Sequence, residues 1–325
     1  MTGTLAMVVD QRGATLELGT HGTLAMIDAD GRRERVGLRA LGSVVLHGEV
    51  TLGTGVLRAL CAHGVALTVL PLRGGRAAAV FSQQAARHAG TRHRQHLAYA
   101  DSQVRLALAR KVVRHKLASA AGRCPDGAQA FLPALAALER AASLPALMGV
   151  EGAAAALHFD GLRATYASQG PFGFEGRTRR PPKDAPNALM SLSYRLAQDQ
   201  AVQLALRHGL DAQLGFLHEI HRDRPSFALD LLEPARAVLD AWVHELLNVR
   251  QVLQPSHFAP QPDGGVQLVR QGRAIFYPLW FSEGHARAMP PIRSLLGSLL
   301  RAIRATPCAG LVGAPGEQGH DDEPL

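Results

Sequence analysis

The sequence predicts an α+β protein in which an N-terminal β-rich domain is followed by a larger all-α C-terminal domain. Short apolar segments separated by turn signals such as QRG, HG and DADG extend to about residue 82, a pattern typical of strands. From about residue 84 apolar residues recur at helical spacing, as in YADSQVRLALARKVVRHKLASA. A chain of 325 residues is long enough for two cores. We therefore assign residues 1–83 to a β domain, 84–305 to a helical domain, and the Gly- and Pro-rich residues 306–325 to a flexible tail.

The individual elements follow from the same patterns. Six segments predict strands: LAMVV, ATLEL, LAMID, SVVLH, VALTVL and AAAVF. A short helix near Leu57–Ala62 interrupts them. Four further segments predict helices: FLPALAALERAASL, LMGVEGAAAALHFDGLRATYA, APNALMSLSYRLAQDQAVQLALRHG and SFALDLLEPARAVLDAWVHELLN. Ser226 is the expected N-cap of the last of these, residues 266–281 predict a β-hairpin or irregular insert, and a final helix is expected at about Ala286–Ala305.

Composition narrows the class of protein. The net charge is +8, which favours binding to polyanions, most commonly nucleic acid. No apolar run reaches the 18–20 residues or so that a membrane helix needs, and the N-terminus does not resemble a signal peptide. The three cysteines, Cys61, Cys124 and Cys308, are odd in number and far apart, which argues against a disulfide or zinc framework. We expect a cytoplasmic protein with no membrane partner.

The positive charge is clustered in two places. Arg177, Arg179, Arg180 and Lys183 flank a proline pair that holds the backbone extended. Such a loop is suited to DNA phosphates, although a solvated loop without a partner explains it about as well. A second group, between Arg87 and His96, predicts either a DNA-facing ridge or a solubilising linker.

Four residues with metal-binding chemistry stand in apolar surroundings. Asp230 and Glu233 are three residues apart on one helix face, where two acids repel each other unless a cation lies between them. His218 and Glu151 are candidate partners, because carboxylates with an imidazole suit Mg²⁺ or Mn²⁺. Simpler explanations remain for each residue: Glu151 as a helix-start acid, His218 as a hydrogen-bonded core residue, and Asp230 and Glu233 as surface acids, the latter paired with Arg236.

Long motifs of the chain resemble a known family. They are an EG pair in an alanine-rich helix, then FGFEGRTRRPPKDAPNALMSLSYRL, GLDAQLGFLHE and SFALDLLEPAR. This order is similar to that of the CRISPR-associated endonuclease Cas1, the spacer-acquisition integrase, over roughly residues 22–257. The resemblance implies that Glu151, His218 and Glu233 are metal ligands for Mg²⁺ or Mn²⁺, and that Asp230 is a further catalytic acid.

The resemblance also suggests residues that contact DNA. Tyr194 is expected to contact a strand end, although a half-buried structural tyrosine is a serious alternative. His221 stands where many members have lysine, and it is assigned to DNA contact together with Arg236 and the basic loop. His158 stands where members usually have tyrosine, and its role is left open.

The implied function is a metal-dependent DNA endonuclease and integrase that inserts spacer duplexes into a CRISPR array by transesterification, in antiviral defence. The implied partners are double-stranded DNA, a second copy of the chain paired through the β domains, and the small ferredoxin-like protein Cas2. One alternative is a non-catalytic basic nucleic-acid scaffold whose acids are structural. A metal-dependent hydrolase of small molecules is disfavoured by the basic clusters.

Overall fold

The computed structural model describes residues 5–70, 79–81, 89–123, 127–222 and 224–308. It confirms the predicted fold class, because strands dominate the first part of the chain and helices the rest. The chain divides into two compact units, one within residues 1–86 and 276–281 and the other within 87–275 and 282–325. The segment 276–281, which the sequence analysis assigned to the helical domain, thus groups with the β unit.

The β unit contains two four-stranded sheets among its described residues. Their strand orders are β1-β5-β7-β8 and β4-β3-β2-β6, and both mix parallel and antiparallel pairs. The elements are β1 (Leu5–Val9), β2 (Ala14–Gly19), β3 (Thr23–Ile27), β4 (Arg33–Gly37), β5 (Leu41–Leu46), β6 (Val50–Leu52), α1 (Thr54–Ala62), β7 (Ala66–Val69) and β8 (Ala79–Phe81).

All six predicted strands are present in the β unit, but the sequence analysis missed β4 and β6. Strand β4 reads RERVG and is largely exposed, and β3 is its one partner among the described strands. Its sequence lacks the apolar alternation that marks a half-buried strand. The DADG turn before it forms as expected: Gly31 has φ +79°, and the Asp28 carboxylate accepts hydrogen bonds from the backbone N–H groups of Asp30 and Arg32.

The remaining elements belong to the helical unit, except that the last residues of α8 group with the β unit. They are α2 (Ala89–Ala100), α3 (Ser102–Ala121), α4 (Leu132–Arg140), α5 (Leu144–Ser168), α6 (Ala185–Arg207), α7 (Ser226–His244), β9 (Phe258–Pro260), β10 (Val266–Leu268), α8 (Arg270–Leu279) and α9 (His285–Arg304). Strands β9 and β10 form an antiparallel hairpin. The insert expected at 266–281 is therefore wrong in extent, because most of that segment is α8, which continues into the β unit.

Side-chain caps fix the starts of three of the helices that carry the site. Asp101 accepts backbone N–H groups at the start of α3, and Ser143 and Asp184 do the same for α5 and α6. The prediction of Ser226 as an N-cap is wrong. Ser226 is the first residue of α7, and its hydroxyl instead donates to the carbonyl of Glu219 at 2.7 Å.

Helix α7 is the central element of this unit. It is buried along almost its whole length and packs against α3, α6 and α9. Polar side chains on such a helix need partners inside the protein, because an unpaired buried charge is costly.

No helix among the described residues is long and apolar enough to cross a membrane. Arg87, His88, Cys124 and the tail beyond Cys308 lie outside the described residues.

Candidate active site

Three helices bring a lysine and two glutamates together. Lys116 on α3 contacts Oε1 of Glu151 on α5, and its Nζ lies 2.6 Å from Oε2 of Glu233 on α7. The three side chains are largely buried, with Glu233 only 4% exposed. Glu151 and Glu233 thus share one cation, which is the ammonium of a lysine that the sequence analysis did not single out.

The other oxygen of Glu233 faces two further nitrogen groups. Oε1 accepts a hydrogen bond from Nε of Arg236 at 2.8 Å, and Nε2 of His218 lies 3.9 Å away. Glu151, His218 and Glu233 therefore lie in one cluster, as the resemblance implies. Arg236, predicted to bind DNA, is fixed here by Glu233 and by the ring of Tyr194, whose centroid is 4.7 Å from its guanidinium carbon.

These contacts determine the charge states of Glu233 and Lys116. Burial alone raises the pKa of Glu233, but Arg236, Lys116 and His218 outweigh it and hold that pKa well below its ordinary value. Burial likewise opposes the charge on Lys116, yet Glu233 and Glu151 outweigh it and raise its pKa. Glu233 is therefore an ionised carboxylate and Lys116 an ammonium at neutral pH.

The position of His218 is set by Asp230 from behind. Oδ1 of Asp230 lies 2.8 Å from Nδ1 of His218 and also accepts the backbone N–H of His218. Its Oδ2 accepts the N–H groups of Phe216 and Leu217. Asp230 is fully buried, and its described contacts support His218 and its loop; its role as a further catalytic acid stays a prediction.

Gly215 allows this loop to approach α7 closely. A Cβ at Gly215 would lie 2.7 Å from the carbonyl oxygen of His218 and equally close to the backbone of Ser226. Only glycine fits there without moving backbone. The GFLH motif therefore combines the residue that permits the approach with the imidazole that the approach delivers.

A second polar pair, His158 and Asp240, lies on α5 and α7 about two helical turns beyond Glu151 and Glu233. His158 follows Glu151 by seven residues on α5, and Asp240 follows Glu233 by seven on α7, a spacing that keeps each pair on one helix face. Nε2 of His158 lies 2.8 Å from Oδ2 of Asp240, and the hydroxyl of Tyr194 donates to Oδ1. Burial, and next the charge of Asp240, raise the pKa of Tyr194 well above its ordinary value.

The Lys116–Glu151–Glu233 cluster and the His158–Asp240 pair both line one cavity of about 270 Å³ in the helical unit. Glu151, Glu233 and Lys116 line it together with His158, Asp240 and Tyr194. Arg177 and Arg179 complete its basic wall. The cavity thus combines converging carboxylates with cationic side chains, which is the chemistry that phosphodiesters and their counter-ions require.

The predicted DNA-contact residues differ in how free they are. Arg179, Arg180 and Lys183 are exposed, whereas the guanidinium of Arg177 donates to the side chains of Asn187 and Ser191. The loop that carries them is held in place, because the N–H of Val266 on β10 donates to the carbonyl of Pro182 at 2.7 Å.

Two further predicted contacts lie in different surroundings. His221 is on an exposed turn, where its Nδ1 contacts the carbonyl of Arg222. Tyr194 is 6% exposed and its hydroxyl is engaged by Asp240.

Two residues of the cluster escaped the sequence analysis. Lys116 sits in RHKLASA, on what the helical pattern indicates is the basic, solvated face of α3. Asp240, in AVLDAW, is an acid inside an apolar run, the same signal that drew attention to Glu151. A search for single acids or lysines at buried positions of predicted helices detects Asp240, but it misses Lys116.

The donor set suits a hard divalent ion. Two carboxylates and one imidazole are the ligand types that Mg²⁺ and, more strongly, Mn²⁺ accept. Oε2 of Glu233 is buried, and its described contact is with the ammonium of Lys116 at 2.6 Å, so a divalent ion would take the position of that ammonium. As they stand, no three His, Cys, Asp or Glu side chains among the described residues enclose an ion; Lys116 holds the two glutamates instead.

Comparison with known proteins identifies the family. A family model described as CRISPR-associated protein Cas1 matches residues 7–281. The chain belongs to the Cas1 family. The resemblance found in the sequence motifs is thereby confirmed.

Relatives and solved structures of Cas1 proteins agree over most of the chain. CRISPR-associated endonuclease Cas1 1 of Thermus thermophilus is 36% identical over 277 residues, which cover 83% of each chain. A protein of the same name from Moorella thermoacetica is 33% identical over 81% of this chain and 84% of its own length. The Thermotoga maritima Cas1 structure superposes with a TM-score of 0.80 at 23% identity, covering 93% of this chain and 97% of that one. A casposase bound to its integration product gives 0.77 at 19% identity, covering 97% and 96%; these two similarities concern the fold.

Proposed function

We propose that this Cas1 protein is a metal-dependent DNA endonuclease and integrase that inserts spacer duplexes into a CRISPR array. The observation that carries the proposal is the convergence of Glu151, His218 and Glu233 beside a cavity with a basic wall. Relatives named as CRISPR-associated endonucleases support the nuclease activity, and the casposase complex shows this fold with an integration product.

The reaction is a transesterification. The 3′-hydroxyl of the spacer attacks a phosphorus atom at the repeat edge, a new P–O bond forms, and the bond to the leaving 3′-oxygen of the repeat strand breaks. The attacking oxygen loses a proton and the leaving oxygen gains one, and because one phosphodiester bond is exchanged for another no external energy source is needed. With water as the nucleophile the same site hydrolyses DNA.

Each residue of the cluster has a distinct part in this proposal. Glu151, Glu233 and His218 would hold Mg²⁺ or Mn²⁺, which when bound supplies Lewis-acid stabilisation of charge on the phosphate oxygens. Asp230 keeps Nδ1 of His218 engaged, so that Nε2 faces Glu233. Arg179 adds positive charge at the mouth of the cavity.

The proposed partners are double-stranded DNA, a second copy of the chain and Cas2. The structure of a Cas6-RT-Cas1–Cas2 complex shares this fold with a TM-score of 0.67, and this chain spans 36% of that one. Exposed Arg179, Arg180 and Lys183 provide a surface for DNA phosphates. The homodimer is expected to form through the β units.

A joining assay tests the proposal. Purified protein with Cas2 should join a labelled duplex into a repeat-bearing plasmid in Mn²⁺ or Mg²⁺. Glu151→Ala, His218→Ala and Glu233→Ala should each abolish joining while DNA binding persists. The matched controls Glu139→Ala and His63→Ala change exposed residues of the same types and should retain activity. Undiminished joining by all three site variants contradicts the metal assignment and favours the non-catalytic scaffold.

A further inference from the structure

Lys116 contacts the same glutamate oxygens that a bound divalent ion needs. We propose that Lys116 is an exchangeable counter-ion, which leaves the two carboxylates when the ion binds and turns to a DNA phosphate in the cavity. Metal binding and DNA binding are then coupled through this one side chain. The inference rests on the proposed function, since it assumes that Glu151 and Glu233 hold the ion.

The contacts of Lys116 place it in competition with the ion. Its ammonium contacts Oε1 of Glu151 and lies 2.6 Å from Oε2 of Glu233. A divalent ion that binds both Glu151 and Glu233 would have to occupy the space between the two carboxylates, where the ammonium of Lys116 already lies. A divalent ion and an ammonium that contact the same carboxylate oxygens repel each other strongly in a buried setting, so the two cations cannot occupy this space together.

The neighbouring arginine shows why the lysine is the one that moves. Arg236 is held by a hydrogen bond from Nε to Oε1 of Glu233 and by a cation–π contact with the ring of Tyr194. Lys116 carries a compact charge on a flexible four-carbon chain, with no cation–π contact among the described residues. Arg236 therefore stays with Glu233 when an ion arrives, while the Lys116 side chain rotates.

The cavity offers the displaced ammonium a place to go. Lys116 lines the same 270 Å³ space as Arg177 and Arg179, so a phosphate attracted by these arginines lies within reach of the side chain. An ammonium suits a phosphate oxygen as a point charge. The energetic consequence is reciprocal: an ion that releases Lys116 strengthens DNA binding, and bound DNA strengthens binding of the ion by the same factor.

Calorimetric titration of Mn²⁺ without DNA tests the competition directly. Lys116→Met should bind Mn²⁺ about tenfold more tightly than wild type, within the usual range for such coupling, and Lys116→Gln should behave in the same way. The matched control Lys111→Met changes a lysine of the same helix and should leave the affinity within about twofold of wild type. Equal or weaker Mn²⁺ binding by both Lys116 variants overturns the proposal.

DNA affinity supplies the second readout, and it includes the wild-type protein. Saturating Mn²⁺ should tighten the binding of a spacer duplex to wild type by about fivefold or more, and much less in Lys116→Met. Absence of any Mn²⁺ effect on wild-type DNA affinity overturns the coupling even if a variant fails to fold. If neither wild type nor Lys116→Met binds Mn²⁺ at all, the failure lies in the proposed metal site itself.

Discussion

Nδ1 of His218 lies 2.8 Å from Oδ1 of Asp230, and this contact directs the opposite ring nitrogen toward Glu233. The same carboxylate also collects three backbone N–H groups of the loop that carries the histidine. Asp230 thus acts through His218, and the two acids that are three residues apart in the sequence do different things. One supports the histidine, and the other faces Lys116 and the cavity.

Replacing Asp230 therefore tests whether it positions His218, and not whether it binds the metal ion itself. Asp230→Asn keeps the shape but replaces one acceptor oxygen by an amide, so a backbone N–H or the imidazole loses its partner. We expect Mn²⁺ affinity to fall about 10- to 100-fold, the usual effect of losing a group behind a ligand, together with a lower unfolding temperature. Titration calorimetry and thermal unfolding measure the two effects. Asp263→Asn, which changes an acid in a turn of the β9–β10 hairpin, is the control, and equal effects in both variants count against the assignment.

The hydroxyl of Tyr194 is expected to serve stability. It donates to the buried carboxylate of Asp240, so Tyr194→Phe leaves that carboxylate with His158 as its remaining side-chain partner among the described residues. The expected loss is about 1–3 kcal/mol in the free energy of unfolding, measured by urea denaturation. DNA affinity should stay within twofold. A variant of unchanged stability that binds DNA much more weakly restores the direct DNA contact predicted from the sequence.

The exposed part of the basic loop is expected to anchor DNA phosphates. Changing Arg179, Arg180 and Lys183 to alanine together should weaken duplex binding and reduce the slope of log affinity against log salt by up to about 3. Binding measured at several KCl concentrations gives this slope. A triple alanine variant at Arg12, Arg32 and Arg39, which are exposed in the β unit, is the control. A slope that falls equally in both variants argues against the loop as the anchor.

Asp199 gives the protein a defined pH dependence of stability. Burial raises its pKa from 3.8 to about 6, although Arg195 opposes the shift. A raised folded pKa means that the folded state holds the proton more tightly, so this contribution to stability is complete below about pH 3.8 and is lost as pH rises through about 6. Relative to Asp199→Asn, wild type should lose at most about 3 kcal/mol between pH 4 and pH 7. Urea denaturation of both proteins across this range measures the difference in their free energies of unfolding. A wild type that gains stability relative to Asp199→Asn as the pH rises contradicts the prediction.

The sequence predicted the fold class because period and turn signals are local. It missed strand β4, whose residues are exposed and which owes its existence to pairing with β3. It also misplaced the start of α7, because the Ser226 hydroxyl bonds to the carbonyl of Glu219 and not to the N–H groups of its own helix. Both errors arise where tertiary contacts decide the local structure.

The candidate site shows the same division. Motif resemblance selected Glu151, His218 and Glu233, which the structure brings together. Their mutual distance depends on the packing of α5 and α7, which no local pattern records. Lys116 was missed for the same reason: a lysine on a basic helix face looks solvated until the partner helices place two carboxylates against it.

The account as a whole is tested most directly by measuring Mn²⁺ binding to wild type and to Glu151→Ala, His218→Ala and Glu233→Ala by titration calorimetry. We expect one site per chain in the wild type and loss of that site, or at least a hundredfold weaker binding, in each variant, with unchanged thermal unfolding in EDTA for His218→Ala. The same Mn²⁺ affinity and stoichiometry in all four proteins would contradict the convergence of these residues on one ion.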